Sequence, residues 1–107
     1  MIRFDYHMHT KLSDGQHSHY EMVLSAIGKG FGEIGISDHY CIKYKVYWAV
    51  DTEGISRLAK KIDEIKVKYG DRINILFGLE VDYFSEFEKE IREALQRYDF
   101  DYVIGSV

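Results

Sequence analysis

The sequence predicts an α/β fold of order β-α-β-α-β-α-β, with parallel strands and crossover helices. Three observations carry this. Short apolar segments of strand length recur at intervals of roughly 30 to 40 residues, the repeat of a βαβ unit. Three segments with helical periodicity lie between them. Capping residues and glycines punctuate the boundaries in a chain of 107 residues with nine glycines and no proline.

The elements follow in order. Ile2 to Tyr6 reads as the first strand. Ser18-His19-Tyr20-Glu21 is a capping box, in which the serine oxygen takes an orphan N–H and the glutamate reaches back. Tyr20, Val23, Leu24 and Ile27 then form an apolar stripe, and Gly30 is a natural stop. Glu33 to Ser37 is the second strand. The second helix starts near Asp51-Thr52, carries its stripe on Ile55, Leu58, Ile62, Ile65 and Tyr69, and ends at Gly70. Ile73 to Val81 is the third strand. Ser85-Glu86-Phe87-Glu88 has the pattern of a second capping box, ahead of a stripe on Phe87, Ile91, Ala94, Leu95 and Tyr98. Asp101 to Val107 closes the series as a fourth strand. No linker or low-complexity stretch interrupts it, so a single domain over 1–107 is expected.

Composition narrows the function. Apolar residues make up 46% and charged residues 30%, with a net charge of −4, the profile of a globular domain. No apolar run approaches the roughly 18 residues that span a membrane, and the N-terminus has no secretory pattern. The single cysteine, Cys41, excludes an internal disulfide framework, fits a reducing compartment, and reads as a small apolar residue. A cytoplasmic location is expected. The mildly acidic balance argues against a nucleic-acid-coating surface.

The polar chemistry gathers at strand ends. His7 and His9 follow the first strand, Asp38 and His39 the second, and Glu80 and Asp82 lie near the end of the third. In a parallel α/β sheet those ends open on one face, where ligands bind. Asp14, in Ser13-Asp14-Gly15, reaches the same face. In extended backbone, His7 and His9 point to one side and Met8 to the other. Mixed histidine and carboxylate ligands suit zinc, manganese or iron better than calcium or magnesium. Taken singly, each has an ordinary reading: Asp38-His39 as a strand-closing turn, Asp14 as a turn residue before Gly15. Glu80 is more telling, because a carboxylate at an apolar strand end is expensive to bury unless paired or metal-bound. His17 and His19 are expected to be solvated, with His17 a substitute ligand, and Asp82 a supporting residue. The irregular stretch Tyr40 to Val50 is long for a βα loop, and reads as a short hairpin or an extended lid.

His7-Met8-His9-Thr10, Ser13-Asp14-Gly15, Gly35-Ile36-Ser37-Asp38-His39 and Gly78-Leu79-Glu80, in that order, resemble the PHP (polymerase and histidinol phosphatase) family. Tyr102-Val103-Ile104-Gly105-Ser106-Val107 resembles that family's fourth strand. The resemblance implies the N-terminal half of a distorted (β/α)7 TIM-like barrel, with up to three divalent metal ions at its carboxyl end. It implies that His7 and His9 hold a first metal with Glu80, that Glu80 bridges to a second, and that Asp14 and His39 contribute to a third. The histidinol-phosphatase branch is the most similar. The expected activity is hydrolysis of small phosphate monoesters by a metal-activated water. Lys43 or Lys45 would steer the phosphate, and Tyr44, Tyr47 or Trp48 would pack a ring-bearing substrate. The family's later ligands have no counterpart here, so the chain is expected to be an N-terminal fragment or incomplete gene product, inactive by itself or self-associating through an open barrel edge. Three other readings stay open: a noncatalytic metal-stabilised module, a polymerase-associated exonuclease domain, and a vestigial half-barrel. Nucleic-acid binding through Lys43 to Trp48 is weakly supported by two lysines in an acidic chain.

Overall fold

The computed structural model describes residues 3–106. Ile2 and Val107, expected at strand ends, lie outside the described residues. The elements are β1 (Arg3–Met8), α1 (His19–Gly28), β2 (Phe31–Tyr40), α2 (Gly54–Tyr69), β3 (Asn74–Asp82), α3 (Glu88–Gln96) and β4 (Tyr102–Ser106). The strands pair in parallel in the order β1-β2-β3-β4. They curl into a half-barrel with helices outside. Among the described residues no helix is long and apolar enough to cross a membrane.

Alternation along the strands separates two faces. Ile34, Ile36 and Tyr40 of β2 and Ile75, Phe77, Leu79 and Val81 of β3 are buried against the helices. The whole predicted stripe of α2, from Ile55 to Tyr69, is buried. Gly35, Ser37 and His39 of β2, and Gly78 and Glu80 of β3, fall on the other, concave side. There Tyr102 lies across the sheet. A Cβ on Gly35 or on Gly78 would come within 2.3 Å of its side chain.

Local signals explain most boundaries. The α1 capping box forms: the Glu21 amide donates to Ser18 Oγ at 3.2 Å and the Ser18 amide to Glu21 Oε1 at 3.0 Å. The Ser18 amide, and after it the Ser18 hydroxyl, hold the Glu21 carboxyl below its usual range. Past the end of α1, Gly30 takes φ +81°, a left-handed conformation that suits glycine. Near α2, Asp51 Oδ1 accepts from the Gly54 amide at 2.8 Å, so the helix starts two or three residues later than expected.

Three expectations change, and β1 adds a feature that the sequence did not suggest. Leu24 is half exposed, and α1 instead buries His19, Val23 and Ala26 at helical spacing. The second capping box does not form: Ser85–Phe87 is a 3₁₀ turn, and α3 has no side-chain cap. The carboxylates there are engaged elsewhere, Glu86 with Lys43 and Glu88 with Arg92. Residues 40–50 do not make the hairpin, one of the two expectations for them. Val50 returns to a single parallel bridge with Tyr40, its amide donating to the His39 carbonyl at 2.8 Å. Finally, β1 carries an irregularity: Asp5 pairs with Ile34 but Met8 with Ile36, so three steps on β1 match two on β2. That extra residue is a β-bulge, and it changes which side chains face inward.

The Tyr102 ring and the two glycines constrain each other. Gly78→Ala is expected to lower stability by about 1–3 kcal/mol through overpacking. In a Tyr102→Ala background the same substitution should cost far less. A urea-unfolding double-mutant cycle measures the coupling, and additive effects would refute it.

Candidate metal centre

Three strand ends and one loop deliver the polar side chains. The bulge in β1 leaves Met8 paired with Ile36 and packed on the core side, while His7 and His9 turn to the concave face. The His7 amide donates to Asp5 Oδ1 at 2.9 Å. β2 and β3 run in register with His39 beside Glu80. Glu80 is 7% exposed.

The contacts converge on the two carboxylates. Glu80 Oε1 meets His7 Nε2 in a short contact and His9 Nε2 at 3.2 Å, while Oε2 lies 3.2 Å from His39 Nδ1. Asp14 Oδ1 is 2.8 Å from His9 Nδ1, and its Oδ2 is 3.2 Å from His39 Nε2. Burial pushes the Glu80 carboxyl up. The hydrogen bonds from His7 and His9 and the proximity of His39 outweigh it and hold that carboxyl below its usual range. Two groups of converging donor atoms result, His7, His9 and Glu80, and His9, Asp14 and His39, sharing His9.

This donor set fits metal ions. A neutral imidazole has one N–H. His9 and His39 each present both ring nitrogens to carboxylate oxygens, so hydrogen bonding cannot serve all four contacts. His39 Nδ1 shows the shortfall: it is buried and has no hydrogen-bond partner although an oxygen is 3.2 Å away. Nitrogen and carboxylate donors so arranged suit zinc, manganese or iron.

Other expected residues fall around this centre. Trp48 stands edge-on to His39, with ring centroids 5.6 Å apart. Lys43 is engaged with Glu86 and with the rings of Tyr44 and Phe84. Lys45 lines a separate recess with Leu12, Asp51 and Arg57. Tyr47 is exposed. Asp82 is the last residue of β3, on Glu80's side of the strand; burial raises its carboxyl, His39 opposes this and Glu80 adds to it. His17 is exposed beside Glu21 and belongs to neither donor group. Cys41 is buried.

Two residues have roles the sequence did not suggest. Asp38 is 1% exposed and faces away from His39. Its carboxylate accepts from the Thr10 amide at 2.5 Å, the Thr10 hydroxyl at 2.8 Å and the Ser13 hydroxyl at 2.5 Å. It therefore pins the loop that carries Asp14. Gly15 completes that loop with its amide on the Thr10 carbonyl, so close to His9 that a Cβ would come within 2.2 Å of the His9 oxygen. His19, expected in solvent, is 3% exposed, with Nε2 lacking a hydrogen bond 3.9 Å from Asp38 Oδ2. It opens α1 one turn before Val23 and so shares the helix's buried face. The capping box marks the start of that helix without showing which face turns inward.

The chain is similar to known proteins. The PHP domain family model matches residues 5–107. The Deinococcus radiodurans protein named "Probable histidinol-phosphatase" is 28% identical over 106 residues, covering 96% of this chain and 41% of that protein. The DNA polymerase/3'-5' exonuclease PolX of Bacillus subtilis is 32% identical over 107 residues, 99% of this chain and 18% of that protein. The crystal structure of histidinol phosphate phosphatase from Lactococcus lactis, complexed with zinc, L-histidinol and phosphate, superposes with a TM-score of 0.85. It is 27% identical, and the match covers 97% of this chain and 39% of that one. The chain thus spans about two fifths of the length of the histidinol-phosphatase relatives it matches.

Asp38→Ala is expected to lower stability by at least about 2 kcal/mol, since three buried donors lose their acceptor. Urea unfolding measures this, and a loss under about 0.5 kcal/mol would contradict the anchoring role. Burial lowers the His19 pKa; the Asp38 charge opposes this, Lys61 lowers it further and Glu64 opposes. The unfolded state then binds more protons as pH falls below about 6.5, and stability drops. With chelator present, His19→Leu should flatten that part of the stability–pH curve. An unchanged slope would place the proton elsewhere.

Proposed function

The chain belongs to the PHP domain family, and from that membership we propose that it forms the metal-holding part of a phosphoesterase acting on small phosphate monoesters. The observation that carries the reading is the shared use of His9 and Glu80. Glu80 faces His7 and His9 with one oxygen and His39 with the other, so its carboxylate could serve ions on either side. We assign His7, His9, Asp14, His39 and Glu80 as ligands. Zinc is the first ion to test because the Lactococcus relative was crystallised with it; manganese and iron suit the same donors, with up to three ions in a complete site.

Divalent ions held there supply positive charge against phosphoryl oxygens and acidify water near neutral pH. The chain's own residues do the rest. Glu80 and Asp14 orient the imidazoles of His9 and His39. Trp48, beside His39, would pack against a ring-bearing alcohol. Histidinol phosphate is the first substrate to try, since two relatives are named for that activity. A cytoplasmic setting suits such a metabolite. The similarity to PolX favours a second reading, a 3'-5' exonuclease-type diesterase, which would use the same ligands.

Elemental analysis of the chain purified without chelator should find metal, and Glu80→Gln should reduce it at least tenfold in affinity. Phosphate release from histidinol phosphate should stop on chelation and return with zinc or manganese. A metal-loaded chain that cleaves single-stranded DNA but no monoester would favour the second reading. One that cleaves neither would leave a noncatalytic metal module.

A further inference from the structure

Tyr102 opens β4, at one end of the strand order, yet its side chain crosses the concave face to β1. The ring passes over Gly78 and Gly35, where a Cβ would come within 2.3 Å of it and force it to shift. Its hydroxyl donates to the Tyr6 carbonyl oxygen at 2.5 Å, and Ser37 Oγ donates to the same oxygen at 3.4 Å. That carbonyl belongs to the peptide joining Tyr6 to His7, inside the bulge of β1. The N–H of the same peptide donates to Asp5 Oδ1 at 2.9 Å. Since the peptide is planar, fixing both its oxygen and its N–H fixes its rotation. The direction in which the His7 side chain leaves the backbone follows from that plane.

His7 needs such support more than the other four residues. Its side chain is 56% exposed, against 20% for His9 and 16% for His39, so packing holds it least. We infer that Tyr102 is a positioning residue for His7, acting through the Tyr6–His7 peptide to aim the imidazole at Glu80. Burial raises the Tyr102 phenol to about 12, so its proton stays available for the bond at neutral pH. This inference rests on the reading of His7 as a metal ligand.

The test is a Co²⁺ titration of the metal-free chain, followed by visible absorption, on wild type, Tyr102→Phe and Ser37→Ala. Tyr102→Phe keeps the ring over the glycines and removes only the hydroxyl. It should bind Co²⁺ at least tenfold more weakly, with a shifted d–d band, and its metal-free urea transition should match wild type. Wild-type chain that binds no Co²⁺ would overturn the ligand assignment itself, and this inference with it. Wild-type binding with unchanged affinity and spectrum in Tyr102→Phe would overturn the positioning role alone. So would weaker binding that merely tracks a loss of metal-free stability with no change in spectrum. If Tyr102→Phe fails to fold, Ser37→Ala decides: weaker binding with a shifted spectrum supports the role, and unchanged binding overturns it.

Discussion

The Glu80 carboxylate sits 7% exposed at the end of a strand whose helix-facing residues are all apolar. A charge so placed is costly unless it is compensated. Three imidazoles surround it, and a second carboxylate, Asp14, faces two of the same imidazoles from the far side. The concave side of the half-barrel is organised around that compensation. β2 and β3 align His39 with Glu80, the bulge in β1 turns His7 and His9 inward, and the Thr10–Gly15 loop closes over them with Asp14.

Rigidity comes from using both faces of one strand. At adjacent positions of β2, His39 enters the centre and Asp38 leaves through the opposite side to grip Thr10 and Ser13. Two segments that carry proposed ligands, the end of β2 and the loop after β1, are thereby tied to one dipeptide. The three bonds to Asp38 offset the burial of its charge, as buried carboxylates require. A centre built on strand ends and locked in this way holds its geometry better than one built on loops alone.

Most of the fold was legible because it depends on local patterns. The α2 stripe, the α1 capping box and the spacing of apolar segments are each set within a few residues of sequence. The convergence of His7, His9, Asp14, His39 and Glu80 was legible from one topological rule, that parallel strands open their carboxyl ends on one face. What could not be read depends on distant partners. The β1 bulge is a property of its register against β2. His19 is buried because of the face α1 turns inward, and Leu24 is exposed for the same reason. The Ser85–Glu88 box does not form: Ser85 opens a 3₁₀ turn, and Glu88 pairs with Arg92 one turn on. Asp38 looked like a turn residue because its three donors lie 25 to 28 residues earlier in the chain.

Charge balance suggests why such a centre and an anionic substrate belong together. Glu80 and Asp14 bring two negative charges, and neutral imidazoles bring none. One divalent cation balances the set. A second, on the reading of Glu80 as a bridge, leaves the centre positive, and in a partly buried site that excess is felt strongly. On the proposed reading, a phosphate monoester is the kind of anion that would restore neutrality, so occupancy of a second position and binding of phosphate would support each other. His9 sits in both donor groups, and Glu80 faces imidazoles of both. If both groups hold ions as proposed, filling one would affect the other through these shared residues.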